Sequence, residues 1–345
     1  MKKTTILVSL IVFASSAFAQ YNSKNLSISA SGDQTFSYEN LRIFPIRANQ
    51  EFFNTFKSVG TFLTLSKALD EKKVIITEAV DTIRRNTQPI YQNQQSNTHN
   101  QQNQSSNYSG ESVNKLFIEN VSGDTVLVLT GEVVKGGKQN RMVSQNFLLP
   151  PHSGNKDLSV FCVEHGRWTY NNEQSLNGSA KFSSNHHYSS NKMRKVAIVD
   201  KSQQLVWNEV NNVTKKNDAV SNSSTYTALE ESKEYQKNLD AYISYFKNAV
   251  KDQNDIIGFL ACSGDSIIGC DMFATREMFL GQLDNLLQSY STEAITNGSK
   301  VKVPKEKAQE YLDKFLTDES TQDAEINKSG TILKNQGRKL VISKF

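Results

Sequence analysis

Apolar residues follow two rhythms along this chain, and the change from one to the other divides it roughly in half. In the first half they alternate. Phe36 to Ile46 (FSYENLRIFPI) reads as an edge strand ended by Pro45. Thr64 to Lys73 reads as a short helix after a Thr or Ser cap, and the β-branched run Val74 to Val80 as a strand. Val113 to Glu119 and Thr125 to Thr130 predict a hairpin around Ser122-Gly123-Asp124. Arg141 to Leu149 and Asp157 to Glu164 extend it into an antiparallel meander, and apolar structure resumes over Val196 to Trp207. From Thr227 the spacing turns helical. Thr227 and Glu230 form a capping box before Leu239, Tyr242, Ile243, Phe246 and Val250 on one face. A hairpin spans Phe259 to Phe273. A second helix from Thr275 carries Phe279, Leu283, Leu286, Leu287 and Tyr290, and a third has Pro304 in its first turn and buries Tyr311, Leu312 and Phe315. A last hairpin turns at Asn335-Gln336-Gly337. The expected class is α+β: an antiparallel meander or sandwich-like N-terminal half, then helices packed around further hairpins.

Composition changes this picture at both ends and in two interruptions. Lys2-Lys3, the apolar run Thr4 to Ser16 and Ala17-Phe18-Ala19 are the three parts of a secretory signal peptide over residues 1–19. No cysteine lies near the cleavage point, so a lipoprotein is not expected, and a periplasmic or secreted protein is. No later stretch approaches the ~20 apolar residues of a membrane span. Residues 20–35 read as a flexible tail and 36–345 as a single domain. Within it, Asn86 to Ser112 is almost wholly Asn, Gln and Ser and predicts a disordered insert, while residues 171–191 predict a polar loop. The formal charge is +4, and +2 without Lys2 and Lys3, too balanced to predict a nucleic-acid face. Three cysteines make an odd count for an exported chain. Alternation from Gly264-Asp265 sets Cys262 opposite Ile267 and Cys270 opposite Phe259, hence on opposite sheet faces. No disulfide is expected between them, and all three cysteines read as small buried apolar residues.

Candidate chemistry concentrates between Gly131 and Trp168 (GEVVKGGKQNRMVSQNFLLPPHSGNKDLSVFCVEHGRW). Gly136-Gly137-Lys138 is no phosphate loop, because Glu132 and Gln139 stand where that motif needs Gly and Ser or Thr, and the context is strand to strand. Cys162 with His165 makes a weak thiol nucleophile, since alternation turns the two side chains apart. Vicinal His186-His187 lack a third ligand at a usual spacing, so no metal site and no cofactor are expected. Glu132, Lys138, Gln139, Asn140, Arg141, Arg167 and Trp168 instead suit recognition of an anion: guanidinium and amide donors for phosphate or carboxylate, and a Trp face for a ring. The competing reading is an internal ion pair between Arg167 or Arg141 and Glu132 or Glu164. Candidate acids for catalysis are Glu132, Glu164 and Asp271.

The segments GEVVKGGKQNRMV, VFCVEHGRW, VWNEV, IIGFLACSGDSIIGCDMFAT and the closing LVISKF resemble the ARG and Rhodanese-Phosphatase-superfamily-associated protein (ARPP) domain, from about Tyr38 to Phe345. The family pattern falls on Gly131, Glu132, Gly137, Gln139, Asn140, Arg141, Cys162, Glu164, Gly166, Arg167, Trp168, Trp207 and Asp271, with Ile342 departing from an expected His. The resemblance brings no established activity. The ARG of its name, an ADP-ribosylglycohydrolase, implies a loose link to nucleotide-derived ligands. The expected function is a non-enzymatic binding or accessory domain for a small anionic ligand or an envelope protein partner. The alternatives are a metal-independent hydrolase of such ligands and a structural or adhesive envelope protein.

Overall fold

The structure, a computed structural model, describes residues 19–28, 36–78, 114–167 and 181–345. Residues 1–18 of the expected leader, the whole Asn/Gln-rich insert, Trp168 and residues 171–180 of the polar loop lie outside the described residues. The class is α+β, and antiparallel pairing dominates three sheets.

The largest sheet is mixed from both ends of the chain. Its strands β1 (Leu26–Ile28), β2 (Ser37–Tyr38) and β3 (Leu41–Ala48) come from the N-terminus. Helix α1 (Gln50–Phe56), capped by Asn49, covers their end. The expected tail is thus partly ordered. Tyr21 is fully buried against Phe52 and Phe56, with ring centroids 5.0 and 5.5 Å away. The carboxamide of Gln20 bonds Gly337 O and Lys339 N–H of the C-terminal hairpin. Nor is Phe36–Ile46 an edge strand. β3 continues through Pro45 to Ala48 and has neighbours on both sides. Pro45 pairs with Phe259 on one side; on the other, β1 pairs with β3 only over Ile46–Ala48 and β2 only over Leu41–Arg42, so among the described residues no strand there needs its missing N–H.

The second, smaller sheet joins β4 (Leu63–Thr64), β7 (Val126–Val128) and β10 (Phe147–Leu149). Thr64 then caps α2 (Leu65–Asp70), as its hydroxyl suggested. The third sheet has the order β12-β8-β9-β11-β6-β5. Its members are β5 (Val74–Glu78), β6 (Lys115–Asn120), β8 (Glu132–Gly136), β9 (Arg141–Val143), β11 (Lys156–Cys162) and β12 (Phe182–Tyr188). A bridge from Thr77 back to Lys181 brings its two ends together, so the sheet curls toward a small barrel. Val74, Ile76, Leu116, Ile118, Val134, Val143, Leu158 and Val160 fill it. Two expectations fail here. The hairpin around Ser122-Gly123-Asp124 does not form, because β6 and β7 part into different sheets. Part of the 171–191 loop is instead strand β12, whose mostly polar sequence buries Phe182, Asn185 and Tyr188 without simple alternation.

Helices α3 (Asn191–Lys195) and α4 (Gln203–Lys216), joined by a π-helical turn at Val196–Asp200, lay Met193, Val196, Val206, Val210 and Val213 on the outer face of β8, β9 and β11. The capping box at Thr227 lies inside a short 3-10 segment, Tyr226–Glu231, and Ser232 caps the long helix α5 (Lys233–Val250) instead. Strands β13 (Ile256–Ser263) and β14 (Ser266–Phe273) form the expected hairpin. Cys262 does face Ile267, but the register slips by one residue after Ala261, so Cys270 faces Leu260 rather than Phe259. That slip removes the opposite-face argument; all three cysteines are buried. Helix α6 (Arg276–Asn297) follows with its expected stripe buried, then α7 (Lys305–Asp313), α8 (Glu319–Asn327) and the closing pair β15 (Gly330–Asn335) and β16 (Arg338–Lys344). Helix α8, with too few apolar residues for a clear stripe, was not foreseen. Among the described residues no helix is long and apolar enough to cross a membrane.

Candidate functional site

One end of the barrel carries a layer of polar side chains. Strands β8 and β9 pair Val134 with Arg141, and β11 sets Cys162 opposite Arg141, so the guanidinium points among groups from three strands. It is 1 % exposed. The turn between β8 and β9 is left-handed at Gly137 (φ 51°), where a Cβ would stand 2.4 Å from Glu78 Oε1 and from the Phe182 ring. A bare residue is therefore required, because a carboxylate lies against the turn. The Lys138 N–H donates to Glu78 Oε1 at 2.8 Å, Arg141 Nη2 lies 3.9 Å from the same oxygen, and Arg141 Nη1 donates to Gln139 Oε1 at 3.4 Å. The turn and the arginine behind it thus hold a carboxylate, supplied by the chain itself.

Beside this layer, Arg167 braces the same turn from outside. Its Nε and Nη2 donate to the two oxygens of Glu164 at 3.0 and 2.7 Å, a bidentate pair, and Nη1 donates to Gly137 O at 2.8 Å. Glu164 Oε2 also accepts the Asn140 N–H at 3.0 Å, while Asn140 Nδ2 reaches Thr225 and Thr227 at 3.1 and 3.2 Å. Of the two sequence readings, the internal ion pair is the arrangement found, between Arg167 and Glu164. Cys162 is fully buried, and desolvation pushes its thiol up to about 11 even with Arg141 beside it. His165 is exposed and rests edge-on against Trp207 at 4.4 Å, so the thiol and the imidazole are not paired.

A second polar centre lies deeper, where the barrel meets the large sheet. Arg194 grips Asp271 through two bonds of 3.1 and 2.7 Å, and the hydroxyls of Tyr290 and Ser343 donate to the same carboxylate at 2.6 and 2.5 Å. The guanidinium sits between the rings of Tyr188, Tyr290 and Phe345, 5.2 to 5.8 Å from their centroids. Both oxygens of Asp271 are therefore fully partnered. Glu132 contrasts with it. It is 3 % exposed, neither carboxyl oxygen makes a well-formed hydrogen bond among the described residues, and desolvation pushes its carboxyl well above the usual range, opposed only by the nearby Leu129 main-chain N–H.

The sequence candidates therefore separate. Gln139, Asn140, Arg141, Glu164 and Arg167 gather at the barrel end, with the main chain of Lys138. Glu132 and Asp271 belong to the interior junction instead, and Trp168 lies outside the described residues. Glu78 and Arg194 were missed, because their partners are 60 and 77 residues away and nothing local marks them. His186 and His187 turn to different acids, Asp70 at 3.4 Å and Glu230 at 3.7 Å. A hollow of about 360 Å³ between α1 and the start of α6, lined by Phe53, Phe56, Lys57 and Glu277 among others, contains none of the sequence candidates.

In comparison with known proteins, the family model of the ARG and Rhodanese-Phosphatase-superfamily-associated Protein domain, ARPP-1, matches residues 29–341. Neither curated proteins nor solved structures give a match.

Proposed function

We propose, for a chain that belongs to the ARPP-1 domain family, the role of an exported, non-enzymatic binding or accessory domain that recognises a small anionic ligand at the β8–β9 turn. The observation that supports this reading is the seat of Glu78. A backbone N–H at 2.8 Å, a glycine with no side chain in the way and a buried guanidinium at 3.9 Å hold its carboxylate oxygen. These are the groups that hold a carboxylate or phosphate oxygen in general. Glu78 then acts as an internal stand-in that an external anion, or an acidic side chain of a partner protein, displaces. Catalysis is the weaker reading. The Glu164 and Asp271 carboxylates are each bonded to an arginine and to further donors, which leaves them already engaged.

Equilibrium binding of inorganic phosphate, ADP-ribose and a short acidic peptide to the wild type, Glu78→Gln and Arg141→Gln tests the reading. Removing the internal competitor's charge should tighten anion binding about tenfold, and Arg141→Gln should abolish it in a chain that still unfolds cooperatively. If neither the wild type nor Glu78→Gln binds any of the three, the reading is wrong. Turnover of ADP-ribosyl substrates by the wild type, lost in Glu164→Gln, would replace binding by hydrolysis.

A further inference from the structure

The junction between β8 and β12 holds polar side chains that the anion-binding reading does not use. Thr130 and Glu132 flank Gly131, whose φ is 107°. A Cβ on Gly131 would stand 2.9 Å from Ser189 Oγ, 2.8 Å from Arg194 Cγ and 2.7 Å from the Tyr188 ring, so the Ser189 hydroxyl lies directly against this stretch of chain. Tyr188 is opposite Glu132 in register and donates its hydroxyl to Thr130 O at 2.6 Å. Asn185 sits where the pairing of β12 with β8 slips, between Ser184 and Tyr188. Thr130, Glu132, Asn185 and Ser189 are each at most 5 % exposed. Thr130 Oγ1, both Glu132 oxygens, Asn185 Oδ1 and Nδ2 and Ser189 Oγ have no hydrogen-bond partner among the described residues.

Buried polar atoms are nearly always partnered, and a buried charge is paired. A proton on Glu132 would remove its charge but leave the hydroxyls and the amide unanswered. Apart from Asn185 Nδ2, the orphaned atoms are the oxygens of one carboxylate and three neutral groups, a hard donor set. The neighbouring Arg194–Asp271 pair is neutral as a unit. A singly charged ion therefore balances the site, whereas a divalent ion would leave a net positive charge in the interior.

We infer that this junction binds a monovalent alkali cation, Na⁺ or K⁺, through the Glu132 carboxylate and the neutral oxygens of Thr130, Asn185 and Ser189. The site is separate from the β8–β9 turn, so its test is independent of anion binding.

Thermal unfolding of the full chain in NaCl, KCl and choline chloride at equal ionic strength reads it out. At about ten times the dissociation constant, the favoured alkali ion should raise Tm by roughly 2–4 °C over choline, saturating with concentration. Glu132→Gln should unfold at one Tm in all three salts. Ser189→Ala should keep the effect but shift its midpoint to higher cation concentration, and it serves as the test variant if Glu132→Gln fails to fold. An identical wild-type Tm in the three salts would overturn the proposal in favour of internal water or a bound proton. So would an undiminished ion-specific rise in Glu132→Gln or, where that variant does not fold, an unmoved midpoint in Ser189→Ala.

Discussion

Asp271 and Glu132 are both sealed in the interior, 1 % and 3 % exposed, and both border the junction between the barrel and the large sheet. Asp271 has Arg194, Tyr290 and Ser343 on its two oxygens, while Glu132 has no bonded partner among the described residues. Taking a carboxylate out of water costs several kcal/mol, and only the partners present decide whether that cost is recovered. At Asp271 it is recovered by geometry, and the ion serves as a fixed post linking α3, β14, α6 and β16. At Glu132 the cost appears as a carboxyl held well above its usual range. The two acids look alike in sequence and differ entirely in what surrounds them.

The contrast can be broken most forcibly from the Asp271 side. Arg194→Met keeps the bulk of the stem but strands the buried carboxylate. It should lower the unfolding free energy by about 3–5 kcal/mol, measured by urea denaturation. A loss below about 1 kcal/mol would mean that the tyrosine and serine hydroxyls alone satisfy Asp271. A smaller effect is expected at the turn that holds Glu78. Gly137→Ala places a methyl on a left-handed residue and against the Glu78 oxygen and the Phe182 ring, so about 1–3 kcal/mol should be lost together with anion binding. Unchanged stability with unchanged binding would show that the turn does not depend on this close approach.

Local order was legible in the sequence where the cause was local. The Thr64 cap, the β13–β14 hairpin and the stripe of α6 follow from spacing alone, and the i,i+3 pair of Glu164 and Arg167 was visible as one of two alternatives. What failed depended on distant chain. Strand β12 (FSSNHHY) reads as loop because its register slips near His186, so its buried side chains keep no simple alternation. Pro45 read as a strand end because the gap between β1 and β2 that tolerates it cannot be seen in sequence. The one-residue slip after Ala261 moved Cys270 to the same phase as Cys262. At the site, the donors were legible by type but their engagement was not. Glu78, which occupies the turn, ends the apolar strand Val74–Glu78, and Arg194, which neutralises Asp271, stands between Lys192 and Lys195 in a basic helical turn; nothing local singles out either, and only the closed sheet brings them to their partners.

The direct test sets the two acids side by side: unfolding free energy against pH for the wild type, Glu132→Gln and Asp271→Asn, in choline buffer free of alkali ions. A carboxyl raised in the native state keeps its proton where the unfolded chain, with an ordinary value of about 4.3, has released it. The native state then binds more protons, so wild-type stability should fall as pH rises above that value. Glu132→Gln should lack this part of the slope and be at least as stable as the wild type at pH 7. Asp271→Asn should be less stable by several kcal/mol throughout the neutral range, because it leaves Arg194 buried without its counter-charge. Losses of the same sign and similar size in both variants would contradict the account.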